Sequence, residues 1–342
     1  MKSGFALYRL PYAEECTLIS GNVCEVKSFM ELGGQQGFVV APFALSPTEP
    51  ILVIQPTEVS HDVSLLPPIP QSPLSSDDLL SSKNSRSDYH IDFANFHAHL
   101  LNGDFQKLVL SRSMEMERKD DASPMDLFRK ACEQYPRMMI ALFYTPQSGL
   151  WLAATPEILL SGADGNWQTI ALAGTMTYED NLCWSDKNIQ EQRYVATYIT
   201  HQLEQFTDNF VEEGPYTARA GHLAHLRSDF RFTLNNNKVI GELLQALHPT
   251  PAVCGLPKQE SLRFILQYEH HRRSYYSGFI GPVFMDGQTN IFVTLRCMQF
   301  FQHSYRLYAG GGLLKDSDEE QEWQETETKL DTMRNIIDYV QR

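Results

Sequence analysis

The chain is 342 residues long, 42% hydrophobic and 20% charged, with a net charge of −14 from 28 basic and 42 acidic side chains. That size and balance suit a globular protein with one large core or two fused halves. No basic cluster offsets the acidity, so nucleic-acid binding is not expected, and no run of 18 apolar residues is present to span a membrane.

The opening stretch MKSGFALYRLPYAEE lacks the unbroken apolar segment of a signal peptide. Six scattered cysteines (Cys16, Cys24, Cys132, Cys183, Cys254 and Cys297) form no CxxC pair and read as reduced thiols of a cytoplasmic protein. Residues 1–58 carry short apolar runs, GFVVAPF and ILVIQP, that predict strands. The following run to about residue 90 is rich in Ser and Pro and reads as a connection. From Ile91 the texture changes: Phe93, Phe96, Leu100 and Leu101 mark a helix that Gly103 can cap. Beyond it, strand-like runs (KLVLSR, MMIALFY, FIGPVF, NIFVTLRCMQFF, YRLYAG) alternate with predicted helices over 124–135, 185–206, 239–247, 258–269 and 318–340. The result is a mixed α/β chain without strict βαβ alternation and without GxGxxG, which disfavours a dinucleotide fold.

The last helix carries the densest charge. Steps of three and four place Glu322, Glu325, Lys329, Met333, Ile336 and Val340 on one stripe. Its lower half is apolar and core-facing, so the two carboxylates above it continue inward, while Glu327 points away and is expected to be solvated. Lys329 can pair with Glu325 one turn earlier. Two inward carboxylates against one lysine leave charge that a hard cation such as Mg²⁺ would balance. Just upstream, Gly310, Gly311 and Gly312 either make a tight turn or let the backbone approach an anion, ahead of Ser317 and Asp318 as N-cap residues. Glu191 lies at the edge of the apolar face formed by Val195, Tyr198 and Ile199.

Nine runs, in order, resemble the chorismate-utilising enzymes, and among them the isochorismate synthases. They are FQKLVLSR (105–112), ATPEILL (154–160), LAGT (172–175), SDKNIQEQRYV (185–195), LHPTPAVCGLP (247–257), RRSYYSGFIGPV (272–283), TLRC (294–297), LYAGGGLL (307–314) and SDEEQEWQETETKL (317–330). The resemblance implies an α+β fold with a large layered β core flanked by helices. It implies a catalytic domain over 91–342, with residues 1–90 packed on it as a strand-rich segment and connection. The implied activity is Mg²⁺-dependent conversion of chorismate to isochorismate, with salicylate synthase as the alternative. A non-catalytic chorismate-binding protein is disfavoured because the site residues are intact.

By the same resemblance Lys107 is the base that activates water and Glu157 the acid. Glu191 and Glu325 would hold Mg²⁺, with Glu322 beside them. Gly174, Thr175, Arg296, Gly310 and Lys329 would bind substrate, and Tyr276 and His248 would form walls. Lys107, where anthranilate synthases carry glutamine, implies that no glutamine amidotransferase subunit is needed. Ala173, where aminodeoxychorismate synthases carry lysine, disfavours that subclass. A monomer or weak homodimer is expected. His97, His99, His270 and His271 share no metal-ligand spacing and read as structural or exposed.

Overall fold

The computed structural model describes residues 3–61, 66–67, 86–118, 123–179, 182–221, 223–234, 236 and 239–340. Strands and helices run in the order β1 (Ser3–Arg9), β2 (Thr17–Val26), β3 (Gly37–Ala41), β4 (Ile51–Ser60), α1 (Arg86–Leu101), β5 (Lys107–Glu117), α2 (Pro124–Gln134) and β6 (Met139–Thr145). There follow β7 (Gly149–Thr155), β8 (Ile158–Ala163), β9 (Asn166–Thr177), α3 (Asp186–Leu203), β10 (Phe210–Ala220), β11 (Leu223–Thr233), α4 (Ile240–Leu247) and β12 (Gly255–Leu256). The chain continues through α5 (Lys258–Tyr268), β13 (Phe279–Val283), β14 (Thr289–Val293), β15 (Cys297–Phe300), β16 (Ser304–Leu313) and α6 (Glu319–Val340).

All described strands join one sheet in the order β10-β11-β9-β8-β14-β13-β3-β4-β2-β1-β6-β7-β15-β16-β5-β12. Why it is layered can be read from strand alternation. On β6, Met139, Ala141 and Phe143 point into one apolar cluster, and Ile140, Leu142 and Tyr144 into another. On β4, Leu52 and Ile54 join the first of these, while Ile51 and Val53 face a third cluster. Both faces of these strands are therefore buried. The sheet doubles back on itself, so that Phe38 on β3 meets Phe143 on β6 with ring centroids 6.2 Å apart, although three strands separate them in the ladder. The shared inner layer holds large aromatics such as Trp151, Tyr275 and Tyr308, each stabilising the fold by about 1.5–3 kcal/mol through burial. α3 and α4 cover one outer face, and α2 and α6 cover the other. This is the layered β core flanked by helices that the sequence implied.

Residues 3–60 are woven into this sheet: β1 to β4 lie between β13 and β6. The expected Ser/Pro-rich connection falls at residues 62–65 and 68–85, outside the described residues. α1 already runs from Arg86, ahead of the change in texture at Ile91, and its Leu101 is exposed while Phe93, Phe96 and Leu100 are buried. Gly103 adopts φ 80° and donates to Leu100 O, closing the helix as predicted. The run NIFVTLRCMQFF is not one strand. It breaks into β14 and β15 at Arg296, whose φ of 45° lies in the left-handed region.

Candidate active site

Two neighbouring strands build the floor. Alternation on β5 aims Lys107 and Val109 at the site, with Ser111 continuing the line. β16 pairs beside it, Gly310 opposite Ser111 and Gly312 opposite Val109. The glycine run is thus part of a strand, not a turn, and its purpose is room. A Cβ on Gly312 would lie 2.0 Å from Glu191 Oε1 and 2.9 Å from Lys107 Cε, and one on Gly310 would lie 2.9 Å from the Tyr276 hydroxyl. No side chain fits at Gly312 without displacing Glu191 or Lys107. The contact Gly310 makes is through its carbonyl, which accepts from Lys329 Nζ at 2.7 Å.

α3 supplies Glu191. Ser185 starts this helix by accepting from Asn188 N, which sets the phase that turns Glu191 inward. Lys107 is completely buried and its Nζ lies 2.9 Å from Glu191 Oε1. The ion pair is close, though its heavy-atom angles fall outside those of a well-formed hydrogen bond. Burial alone would raise the Glu191 carboxyl, but the ammoniums of Lys107 and Lys187 outweigh it and hold Glu191 below the usual carboxylate range. Glu157, in the connection between β7 and β8, behaves in the opposite way. It is 3% exposed, and burial pushes it up to about 8 against the pull of Lys107 and Lys329. Glu157 therefore holds its proton at neutral pH.

α6 delivers the stripe. Asp318 caps it by accepting from Gln321 N at 3.0 Å. Glu325 pairs with Lys329 at 2.7 Å. Glu322 is buried, its Oε1 accepting from Ser317 Oγ at 2.7 Å and from Lys187. Its Oε2 has no hydrogen-bond partner among the described residues, and burial followed by repulsion from Glu325 raises its carboxyl to about 7 despite Lys187. Among the described residues no three His, Cys, Asp or Glu side chains form a cage for an ion. The donors available are carboxylates from two helices with one buried oxygen unsatisfied. That is a fit for Mg²⁺, which takes one or two protein carboxylates and completes its shell with water and ligand oxygens.

Arg296 enters from the β14–β15 break. It is buried, donates to Thr332 Oγ1 at 3.2 Å, and meets no carboxylate among the described residues. Burial lowers it to about 10, which leaves it cationic. Its other nitrogen lies 3.1 Å from His225 Nε2. Because arginine only donates, that ring nitrogen must accept, so Nδ1 carries the hydrogen and donates to Gly174 O at 2.8 Å. Burial and the adjacent Arg296 push His225 down to about 3, so it stays neutral. Gly174, with φ 65°, also turns its amide toward Glu191 Oε2 at 3.3 Å.

Glu157, Gly174, Thr175, Glu191, Arg296, Gly310, Glu325 and Lys329 line a single cavity, with Tyr276 as a wall, and Lys107 stands behind Glu191. Two expectations fail. His248 is not a wall: it lies under β3's end, near the carbonyls of Pro42 and Phe43 at 3.1 and 3.2 Å, and burial drives it down to about 3. Glu327 is not simply solvated; it pairs with Arg112 and Arg334, because the far side of α6 lies against β5 rather than open water. Lys187 and His225 were not singled out from sequence. Strand alternation on β11 places His225, Arg227 and Asp229 on one face, a weak signal that a histidine there meets something polar.

A family profile described as chorismate binding enzyme matches residues 58–338. The chain belongs to that family. Isochorismate synthase DhbC of Bacillus subtilis is 30% identical over 254 residues, covering 69% of this chain and 64% of the relative. Isochorismate synthase MenF of Escherichia coli is 31% identical over 249 residues, covering 69% of this chain and 56% of the relative. The chain thus matches less than two thirds of the length of these relatives. Among solved structures, the putative 2,3-dihydroxybenzoate-specific isochorismate synthase DhbC of Bacillus anthracis superposes with TM-score 0.79 at 22% identity, over 97% of this chain and 95% of that one. That likeness establishes the shared fold of the family. No helix among the described residues is long and apolar enough to cross a membrane.

Proposed function

We propose that this chain is an isochorismate synthase, adding water at C2 of the chorismate ring and expelling the C4 hydroxyl. The observation that carries the reading is a buried, proton-holding glutamate lining the cavity, with a buried lysine within electrostatic reach of it behind Glu191. An addition coupled to loss of hydroxide needs a base and an acid at once, and these two side chains meet that need. The relatives named as isochorismate synthases support it.

Lys107, neutral in the reacting state after its ammonium has released a proton, takes a proton from water as the oxygen bonds to C2. The ring double bonds shift, the C4–O bond breaks, and Glu157 gives its proton to the departing hydroxyl. Proton transfer from Lys107 back to Glu157 restores the resting pair. Arg296, buried without a carboxylate partner, receives one substrate carboxylate, and His225 keeps its guanidinium in place. Lys329 holds Gly310 O and Glu325 within reach of the same ligand. Mg²⁺ held by Glu191 and Glu325, with Glu322 adjacent, would neutralise the ring carboxylate and draw electron density from the diene. Water is the nucleophile on this reading, so no glutamine amidotransferase subunit takes part.

The test is incubation with chorismate and Mg²⁺, resolving isochorismate, salicylate and pyruvate. Isochorismate alone is the expected product. Salicylate with stoichiometric pyruvate would reassign the chain as a salicylate synthase, and unconsumed chorismate would overturn both.

A further inference from the structure

The cavity at Glu157 and Arg296 encloses only about 60 Å³, well under the roughly 300 Å³ from which small-molecule pockets begin. A second cavity of about 510 Å³ adjoins it. Pro156, Leu172 and His225 border both spaces, so the larger one reaches the partner side of Arg296. Among the described residues its lining includes Arg137, Arg219 and Arg227 and no Asp or Glu. In a chain of net charge −14, that is a marked sorting of charge. Arg227 is occupied by Asp229 at 2.6 Å. Arg137 and Arg219 meet no carboxylate among the described residues; Arg219 donates to Gly221 O and lies 4.5 Å from the Tyr178 ring.

We infer that this arginine-lined cavity is the access route for a dicarboxylate substrate, with Arg137 and Arg219 drawing the anion toward Arg296. The inference rests on the functional reading above. A mostly acidic surface repels a dianion, and a cationic mouth with apolar walls counters this locally by focusing the field. Both arginines are exposed and screened, so their effect falls on the rate of encounter more than on affinity.

The experiment compares wild type, the double variant Arg137→Gln/Arg219→Gln and the control Arg263→Gln. Arg263 is an exposed arginine on α5 that borders neither cavity. Chorismate association, with Mg²⁺ present, is measured by rapid mixing at low and high salt, alongside turnover at saturating chorismate. The double variant is expected to associate roughly fivefold more slowly at low salt and to converge on wild type at high salt. Saturated turnover should stay the same in all three proteins. Equal association rates at low salt would overturn the inference, as would a deficit that persists undiminished at high salt. If wild type neither binds nor converts chorismate, the functional reading falls and this inference falls with it; a normal wild type with an unaffected double variant removes the access route alone.

Discussion

α6 is one helix with two kinds of interior. Its first half turns Glu322, Glu325 and Lys329 toward the glycine strand β16, and its second half turns Met333, Ile336 and Ile337 into the apolar cluster shared with α2 and the sheet. Both halves obey the same period. The difference lies in what they meet: close-packed side chains below, and above them a gap that three glycines keep open. The apolar half anchors the helix, and the charged half is held in place by that anchor, with carboxylates where solvent cannot fully satisfy them. Placing charge there costs stability, and the return is a set of poised groups.

Removing charge from the upper half of α6 while keeping its shape separates its role most sharply from that of the lower half. Glu325→Gln should reduce turnover to the detection limit at any Mg²⁺ concentration, since it deletes one of the two carboxylates assigned to the ion. Undiminished turnover of wild type in excess EDTA would falsify the metal assignment. Next in size, Lys107→Ala and Glu157→Gln should each lower kcat by about 10²–10⁴ while calorimetric chorismate affinity stays close to wild type. Forward and reverse rates should fall together. Near-normal turnover of Lys107→Ala would remove it as the base.

A truncation in the lower half should act in the other currency. Ile336→Ala is expected to cost about 2–5 kcal/mol in denaturant unfolding, with kcat per folded molecule unchanged. A large kcat loss there would mean that the anchor and the site cannot be separated.

A smaller, graded effect comes from pH. Glu157 sits at about 8 when folded, against the ordinary 4.5 of the unfolded chain. The folded protein therefore keeps a proton that the unfolded chain releases, and this contribution to stability is full below about 4.5 and lost as pH rises toward 8. Because Lys107 must be neutral while Glu157 is protonated, the pH–rate profile should carry a limb near 8 that disappears in Glu157→Gln. A pH profile that stays flat to pH 9.5 would remove Glu157 as the acid.

How much of this was legible in sequence follows from the kind of interaction. Helical period exposed the α6 stripe, and strand alternation put Lys107 on the face of β5 that meets Glu191, because both depend on residues a few positions apart. The family runs located the cavity lining. Partners across the fold left no such trace. Lys187 reaches Glu322 across 135 residues, and His225 reaches Arg296 across 71. The break at Arg296 was hidden because an uninterrupted apolar run does not register one residue in a left-handed conformation. The doubling of the sheet, which buries both faces of β4 and β6, is likewise a property of the whole ladder.

The smallest predicted effect concerns Glu327, where local period misled. Its helical phase points away from the cavity, and that much is correct. What lies on that side is Arg112 of β5, which donates through Nε to Thr326 Oγ1 at 2.7 Å and stands 3.7 Å from the Trp323 ring centroid. Burial raises the Glu327 carboxyl, but Arg112 and Arg334 outweigh it and leave it below the usual range. The stability it contributes is thus present above the unfolded carboxyl's titration and lost as pH falls through the lower folded value. Breaking a fully buried pair costs about 3–5 kcal/mol and an exposed one about 0–1. Glu327 is 30% exposed and Arg112 only 3%, so this pair falls between, and Glu327→Ala should cost about 1–2 kcal/mol. Catalysis should change less than twofold, since neither residue lines the cavity. A double-mutant cycle with Arg112→Met isolates the pair. Coupling near zero would restore the solvated reading and leave Trp323 and Thr326 as the partners that hold Arg112.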